Sequence, residues 1–304
     1  MKEVKPNSFH AWFLAARPKT LTGAIIPVLL GSALAVSDGL FKSVPALLCL
    51  LFACGMQIAA NFINDLFDYL KGSDRQDRLG PQRACAEGWI TTRAMKTGIG
   101  IILLFSCLTG LATLFVVWEQ LPYRGWELVM LGGACVLFAF LYTTLLSYRG
   151  WGDVLVLVFF GFVPVCGTFY IQAYTIDMDA VTLSLISGLA IDTLLMVNNY
   201  RDREQDAISG KQTLVVRYGK KFGEYMYLGL GIAAALCCFR FLFTGRLTPF
   251  EFIWAPGIYL CLHIRTWRGM VHIGSGKQLN RILGETSRNM LLLGLLLAAA
   301  LSIA

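Results

Sequence analysis

The sequence predicts an all-α, polytopic membrane protein of nine spans in a single domain covering residues 1–304. Three observations carry this. Apolar residues make up 56% of the chain and only 15% is charged. The apolar residues fall in long blocks, and a helix needs about 20 of them to cross the hydrocarbon. Basic residues collect in alternate connecting segments, which is how membrane proteins mark their cytoplasmic side.

Read in order, the apolar blocks lie at about 20–37, 43–66, 95–117, 126–146, 152–174, 180–200, 223–243, 250–268 and 287–304. Several contain glycine or proline, which helices in lipid tolerate because neighbouring helices re-satisfy the freed backbone groups. The opening "MKEVKPNSFHAWFLAARPKTL" lacks a continuous apolar core and a small-residue cleavage site, so it does not read as a secretory signal. With the N-terminus inside, the inner segments hold 22 of the 26 Lys and Arg residues. Lys42, Arg124, Arg240 and Arg246 remain outside. The net charge of +7 is therefore topology and not a nucleic-acid footprint.

Cysteine and histidine point to no metal cluster. Eight of the nine cysteines lie in apolar blocks, only Cys85 is in a polar loop, and there is no CxxC. His10, His263 and His272 are far apart in sequence.

Two polar stretches interrupt the pattern. "QIAANFINDLFDYLKGSD" closes the second block and "VNNYRDREQD" closes the sixth, so both fall on the same side. The loops that they open, about 61–93 and 198–222, read as a distant internal repeat. On a helix, Gln57, Asn61, Asn64 and Asp68 form one stripe with Asp65 beside it. Asn198, Asp202 and Asp206 form another. Acids at a membrane edge face the bundle interior or water and find partners. Two acidic stripes facing each other need cations between them, and carboxylate and amide oxygens suit Mg²⁺ with substrate phosphates. Lys71, Arg75, Arg78 and Arg83 follow the first stripe, while Arg201, Arg203, Lys211 and Arg217 surround the second. Arg17 and Lys19 stand just before the first block. Acids, metal and a ring of cations together are a way to hold a diphosphate.

The stretches "NDLFDYLKGSD", "DRLGPQR" and "NNYRDREQDAISGKQTLVVRYG" resemble the signature loops of the UbiA superfamily of intramembrane prenyltransferases. The likeness extends to "ARPKTLTGAIIPVLLGSALA", "YRGWGDVLVLVFFGFVPVCGTFYIQ" and "LNRILGETSRNMLL", and it favours the branch that prenylates 1,4-dihydroxy-2-naphthoate. The resemblance implies nine helices around a central cavity open to the cytoplasmic side, in a bacterial inner membrane. It implies transfer of a polyprenyl chain from polyprenyl diphosphate to the naphthoate, with Mg²⁺ and loss of CO₂, giving demethylmenaquinone. By position, Asn64, Asp68 and Asp74 match the first motif, and Asn198, Asp202 and Asp206 the second, as metal ligands; Asp68 and Asp202 are expected to be catalytic. Arg17, Lys71, Arg83, Arg201 and Lys211 are the expected diphosphate-facing cations, and Tyr142 and Tyr148 candidates beside the reacting centre. The sequence departs from some relatives in having Ser147 where they carry a lysine before the tyrosine matching Tyr148. Asp192, inside the sixth block, has no counterpart and its role stays open.

Other readings are a different aromatic acceptor such as 4-hydroxybenzoate, a cation-coupled transporter, and a CDP-alcohol phosphotransferase. The acids lie at helix ends, whereas transporter sites sit near the midplane. They are also split between two loops, unlike the continuous Asp-Gly-led motif of the phosphotransferases.

Overall fold

The computed structural model describes residues 4–72 and 79–303. Every regular element among them is helical. In chain order these are α1 (Phe9–Ala16), α2 (Pro18–Ser37), α3 (Ser43–Leu70), α4 (Thr92–Val117), α5 (Trp126–Leu141), α6 (Gly152–Val156) and α7 (Val163–Ala173). There follow α8 (Met178–Ile208), α9 (Leu214–Tyr218), α10 (Lys220–Cys237), α11 (Phe239–Phe243), α12 (Pro249–Phe252), α13 (Ile258–Ile273) and α14 (Leu279–Ile303).

Eight helical stretches among the described residues are long and apolar enough to cross a membrane, so the chain is a polytopic membrane protein. They match eight of the nine expected blocks. The 250–268 block is helical too, running as α12, a π-helical turn over Ile253–Gly257, and α13. It is less apolar than the rest, interrupted by Glu251, Pro256, His263 and Arg265, and is not among the eight. Several helices outrun their apolar blocks. α3 continues to Leu70 and α8 to Ile208, so the polar ends of both blocks stay helical.

Local chemistry sets the helix starts. Asp177 caps α8 by accepting the Ala180 N–H at 2.7 Å, and Thr91 caps α4 through Ala94 N–H at 3.3 Å. Pro18 opens α2 directly after Arg17, whose backbone is left-handed at φ 51°. A non-glycine residue there is strained. The kink lets α1 leave α2 and aims Arg17 toward α3, where its Nη2 lies 3.9 Å from Asp65.

Packing divides the bundle into linked clusters. α2, α7, α8 and α14 share the largest core, around Leu30, Leu34, Phe169, Leu183 and Leu297. α1, α3 and α4 enclose a second, around Phe62, Leu66 and Met95. α8 is the most buried span, and Trp126–Arg149, which contains α5, is the least. Two π-helical turns, Tyr142–Leu146 and Leu157–Phe162, widen the spans beside α8. Such turns leave carbonyls short of helical partners, and side chains supply them: Ser187 Oγ donates to Phe160 at 2.8 Å, and Lys71 Nζ to Thr144 at 2.8 Å.

The Leu157–Phe162 turn meets α8 through two glycines. A Cβ on Gly161 would stand 2.5 Å from the Ser184 carbonyl oxygen and 3.1 Å from the Gly188 Cα. Small residues at such crossings let backbones approach where lipid offers no hydrophobic drive. Gly161→Val is expected to lower the melting temperature of the detergent-solubilised protein, an overpacking cost of about 1–3 kcal/mol. Gly229→Val, where a Cβ meets nothing within 4 Å, is the control. Equal melting of the two variants would show that the close approach does not hold the bundle.

Candidate active site

The last turns of α3 and α8 bring the two polar stretches to one place. Between α2, α3, α4, α5, α7 and α8 lies a cavity of about 560 Å³. Its wall is mostly apolar and runs from Leu114, Leu128 and Ile171 at one end to Asn64, Asn198 and Tyr142 at the other. Gln57, Asn61 and Thr20 line it on the α2–α3 side. A slot of this shape accepts a long apolar chain along its wall and a polar head at one end.

The predicted first stripe divides by role. Asn61 turns inward, its Nδ2 donating to the Ala16 carbonyl at 2.9 Å and to Thr20 Oγ1 at 3.0 Å, and thereby joins α1 and α2 to α3. Asn64 Oδ1 and Asp68 Oδ2 both accept from Arg83 Nη2, at 3.1 and 3.3 Å. Arg83 and Asp68 are both buried. Asp74, Arg75 and Arg78 lie outside the described residues.

In the second stripe, Arg201 holds Asp202 with two parallel bonds, Nε to Oδ1 at 2.7 Å and Nη2 to Oδ2 at 2.6 Å. This forked geometry is the strong form of an arginine–carboxylate pair. Asp206 Oδ1 lies 3.8 Å from Lys211 Nζ, and Asn198 Nδ2 donates to the Leu194 carbonyl at 3.1 Å. Arg203 donates to the Tyr200 carbonyl within its own helix, while Arg217 donates to the Arg149 carbonyl and so braces the loop after α8 against the segment after α5.

Tyr148 gathers cations from both loops. Lys71 Nζ stands 4.1 Å from its ring centroid and Lys211 Nζ 5.4 Å. Its carbonyl accepts the Gln212 N–H at 2.9 Å, which ties the loop after α8 to the segment after α5. Withdrawal from water pulls the Lys71 ammonium below its ordinary range; Asp68 opposes this and Lys211 adds to it. Tyr142 lines the cavity, whereas Tyr148 sits among the lysines. Arg17 Nη2 lies 3.9 Å from Asp65, inside the first motif stretch.

Asp65 emerges as the anchor of the first loop. Its two oxygens accept the backbone N–H groups of Ala84 and Cys85, both at 2.9 Å, and so fix the segment that presents Arg83. Asn280, at the start of α14, accepts from Arg201 Nη1 at 2.8 Å. It lies in the "LNRILGETSRNMLL" stretch, where no local pattern distinguishes it. Asp153 and Asp192 are buried close behind the cavity wall; among the described residues neither Asp192 oxygen has a hydrogen-bond partner, nor does Asp153 Oδ1.

The site residues suit Mg²⁺. Among the described residues no three His, Cys, Asp or Glu side chains cluster as a metal site. The donors here are instead mixed amide and carboxylate oxygens, and those of Asn64 and Asp68 already converge on a single cationic nitrogen. Mg²⁺ typically takes one or two such oxygens and completes its shell with phosphate and water.

The profile of the UbiA prenyltransferase family matches residues 24–278. The 1,4-dihydroxy-2-naphthoate octaprenyltransferase of Haemophilus influenzae is 37% identical over 246 residues, 79% of each chain. That of Mycobacterium tuberculosis is 33% identical, covering 97% of this chain and 98% of its own. In fold, the chain is similar to a UbiA homologue from Archaeoglobus fulgidus whose structure holds GPP and Mg²⁺: TM-score 0.67, 13% identity, 96% of this chain and 99% of the other.

Asp65→Ala removes both acceptors from two backbone N–H groups, each lost bond costing about 1–3 kcal/mol. Hydrogen exchange at Ala84 and Cys85 is expected to accelerate at least tenfold while α8 stays protected. Unchanged exchange there would mean that Asp65 does not hold the loop.

Proposed function

The chain belongs to the UbiA prenyltransferase family, and from that premise we propose that it transfers a polyprenyl group from polyprenyl diphosphate to 1,4-dihydroxy-2-naphthoate. Carbon dioxide and diphosphate leave, and the product is the quinol of demethylmenaquinone. The observation that carries this reading is one apolar cavity whose polar end is formed jointly by Asn64 and Asn198, the leading residues of the two acidic motifs.

The apolar wall takes the prenyl chain, and the polar end takes its diphosphate. Lys71 and Lys211, already converging on Tyr148, meet the phosphate oxygens, while Arg83 and Arg201 hold Asp68 and Asp202 in place. Asn64, Asp68, Asp74, Asn198, Asp202 and Asp206 are the residues that would hold Mg²⁺, which when bound supplies positive charge against the departing diphosphate. As the C–O bond breaks, the allylic carbon becomes cation-like. The apolar wall keeps water from quenching it, and the Tyr142 ring borders the cavity at that end. The electron-rich naphthoate carbon then attacks, and the ring recovers aromaticity as CO₂ departs. In this reading the helical stretch 249–273 is a ninth crossing, and both motif loops face the cytoplasm with the N-terminus, as the distribution of basic residues supports.

The test is product analysis by mass spectrometry. Membranes holding the protein receive Mg²⁺, a polyprenyl diphosphate and either 1,4-dihydroxy-2-naphthoate or 4-hydroxybenzoate. A prenylated, decarboxylated naphthoquinone that EDTA abolishes is expected. Prenylated hydroxybenzoate alone would overturn the acceptor and keep the chemistry. Asp68→Ala and Asp202→Ala are each expected to cut turnover by about 10²–10³-fold or more, with the folded yield retained. Near-normal turnover in either removes that carboxylate from the site.

A further inference from the structure

The two acidic motifs come from different halves of the chain, yet their geometry is joined through one side chain that belongs to neither. Asn280 lies in the first turn of α14. Its Oδ1 accepts from Arg201 Nη1 at 2.8 Å, and its Nδ2 donates to the Leu79 carbonyl at 2.8 Å. The orientation of the amide is fixed by its partners, because a guanidinium only donates and a carbonyl only accepts. Neither bond caps α14 itself. Both reach other segments of the chain.

Each partner leads into a motif. Arg201, nearly buried at 3% exposure, spends Nε and Nη2 on Asp202. With Nη1 on Asn280, all three guanidinium nitrogens are engaged. Leu79 begins the described part of the loop that carries Arg83, and Arg83 holds Asn64 and Asp68. The connected path therefore runs from Asp202 through Arg201 and Asn280 to Leu79, and along the loop to Arg83 and Asp68. Asn280 also bears on a problem specific to Asp202. The guanidinium that grips both Asp202 oxygens leaves further lone pairs on them for a cation, and Asn280 fixes where that guanidinium, and with it the carboxylate, stands.

We infer that Asn280 is a positioning residue for the diphosphate site: it sets the relation between the two acidic motifs by tying Arg201 to the 79–83 loop. The inference rests on the proposed transfer reaction for its kinetic readout but not for its structural one.

The experiment compares wild type, Asn280→Ala and Asn280→Asp in detergent, with three measurements: steady-state kinetics with polyprenyl diphosphate varied, calorimetric binding of Mg²⁺ with inorganic pyrophosphate, and hydrogen exchange over residues 79–85. For Asn280→Ala the KM for the prenyl diphosphate is expected to rise about tenfold or more, as the loss of a bond to a charged group implies. Its kcat at saturation should stay within about threefold, since the groups named for the reaction in the proposed mechanism are all still present. Pyrophosphate binding should weaken in parallel, and exchange over 79–85 should quicken with the melting temperature unchanged. Asn280→Asp keeps an acceptor for Arg201 but has no donor for Leu79, so it should speed exchange over 79–85 as the alanine variant does. Unchanged KM and pyrophosphate affinity in Asn280→Ala would overturn the inference. So would an equal fall of activity and melting temperature, which marks a brace of the fold and nothing more. If the wild type itself makes no product, the transfer reading fails. Pyrophosphate binding and exchange then decide on Asn280: weakened binding with faster exchange upholds the inference, and wild-type values refute it.

Discussion

Placing carboxylates at the edge of a membrane is the constraint from which the rest of this structure follows. Asp65 and Asp68 are buried and Asp202 is mostly covered, and an unpartnered charge there is costly. Each is met by donors from another segment or a neighbouring residue. Asp65 takes two backbone N–H groups and the more distant Arg17, Asp68 takes Arg83, and Asp202 takes Arg201. Because most of these partners lie outside the helix that carries the acid, satisfying the charges also folds the loops. The polar end of the cavity and the loops around it are thus one construction.

The far side of the bundle solves the same problem without a cavity. Arg246 joins Asp38, at the end of α2, to Asp179, at the start of α8, at 2.6 and 2.7 Å, and Arg240 adds a second bond to Asp179. Those pairs close a set of helix ends on one another. At the motif side the pairs instead border an opening, since Asn64 lines the cavity while it accepts from Arg83 of the first loop, and Asn198 lines it as well. The contrast separates ion pairs that seal from ion pairs that frame.

How much of this the sequence announced depended on range. The apolar blocks located the spans, and the helical register of Asn64 with Asp68 and of Asn198 with Asp202 put each pair on one face, because both features are local. The 250–268 block was harder. Its helix is punctuated by Glu251, Pro256 and His263 and carries a π-helical turn, a feature that leaves no period in the sequence. Asn61 reads like a site residue by spacing, yet part of its role is to hold the α1–α2 corner. Asp65 was visible only as a neighbour of the stripe, since its partners lie 19 and 20 residues on. Asn280 stands 79 residues from Arg201 and 201 from Leu79, and no local pattern marks it.

The carboxyl of Asp192, without a hydrogen-bond partner among the described residues, bears on how the protein is made. Asp192 lies near the middle of the 31-residue helix α8, the span most enclosed by its neighbours. An aspartate at the centre of an inserting segment disfavours its entry into lipid by about 2.5–3.5 kcal/mol. The Leu, Ile and Val residues of α8, at about −0.3 to −0.6 kcal/mol each, offset that cost, and the acid uses up much of the segment's drive to enter lipid while it stands alone at the translocon. Helices α2 and α7, made earlier, and α10 and α14, made afterwards, are among those that later pack on it. Biogenesis of this bundle is therefore expected to be cooperative, with α8 leaving the translocon in the company of helices that shield its acid from lipid, and a ribosome paused before α10 is complete would hold its most vulnerable intermediate.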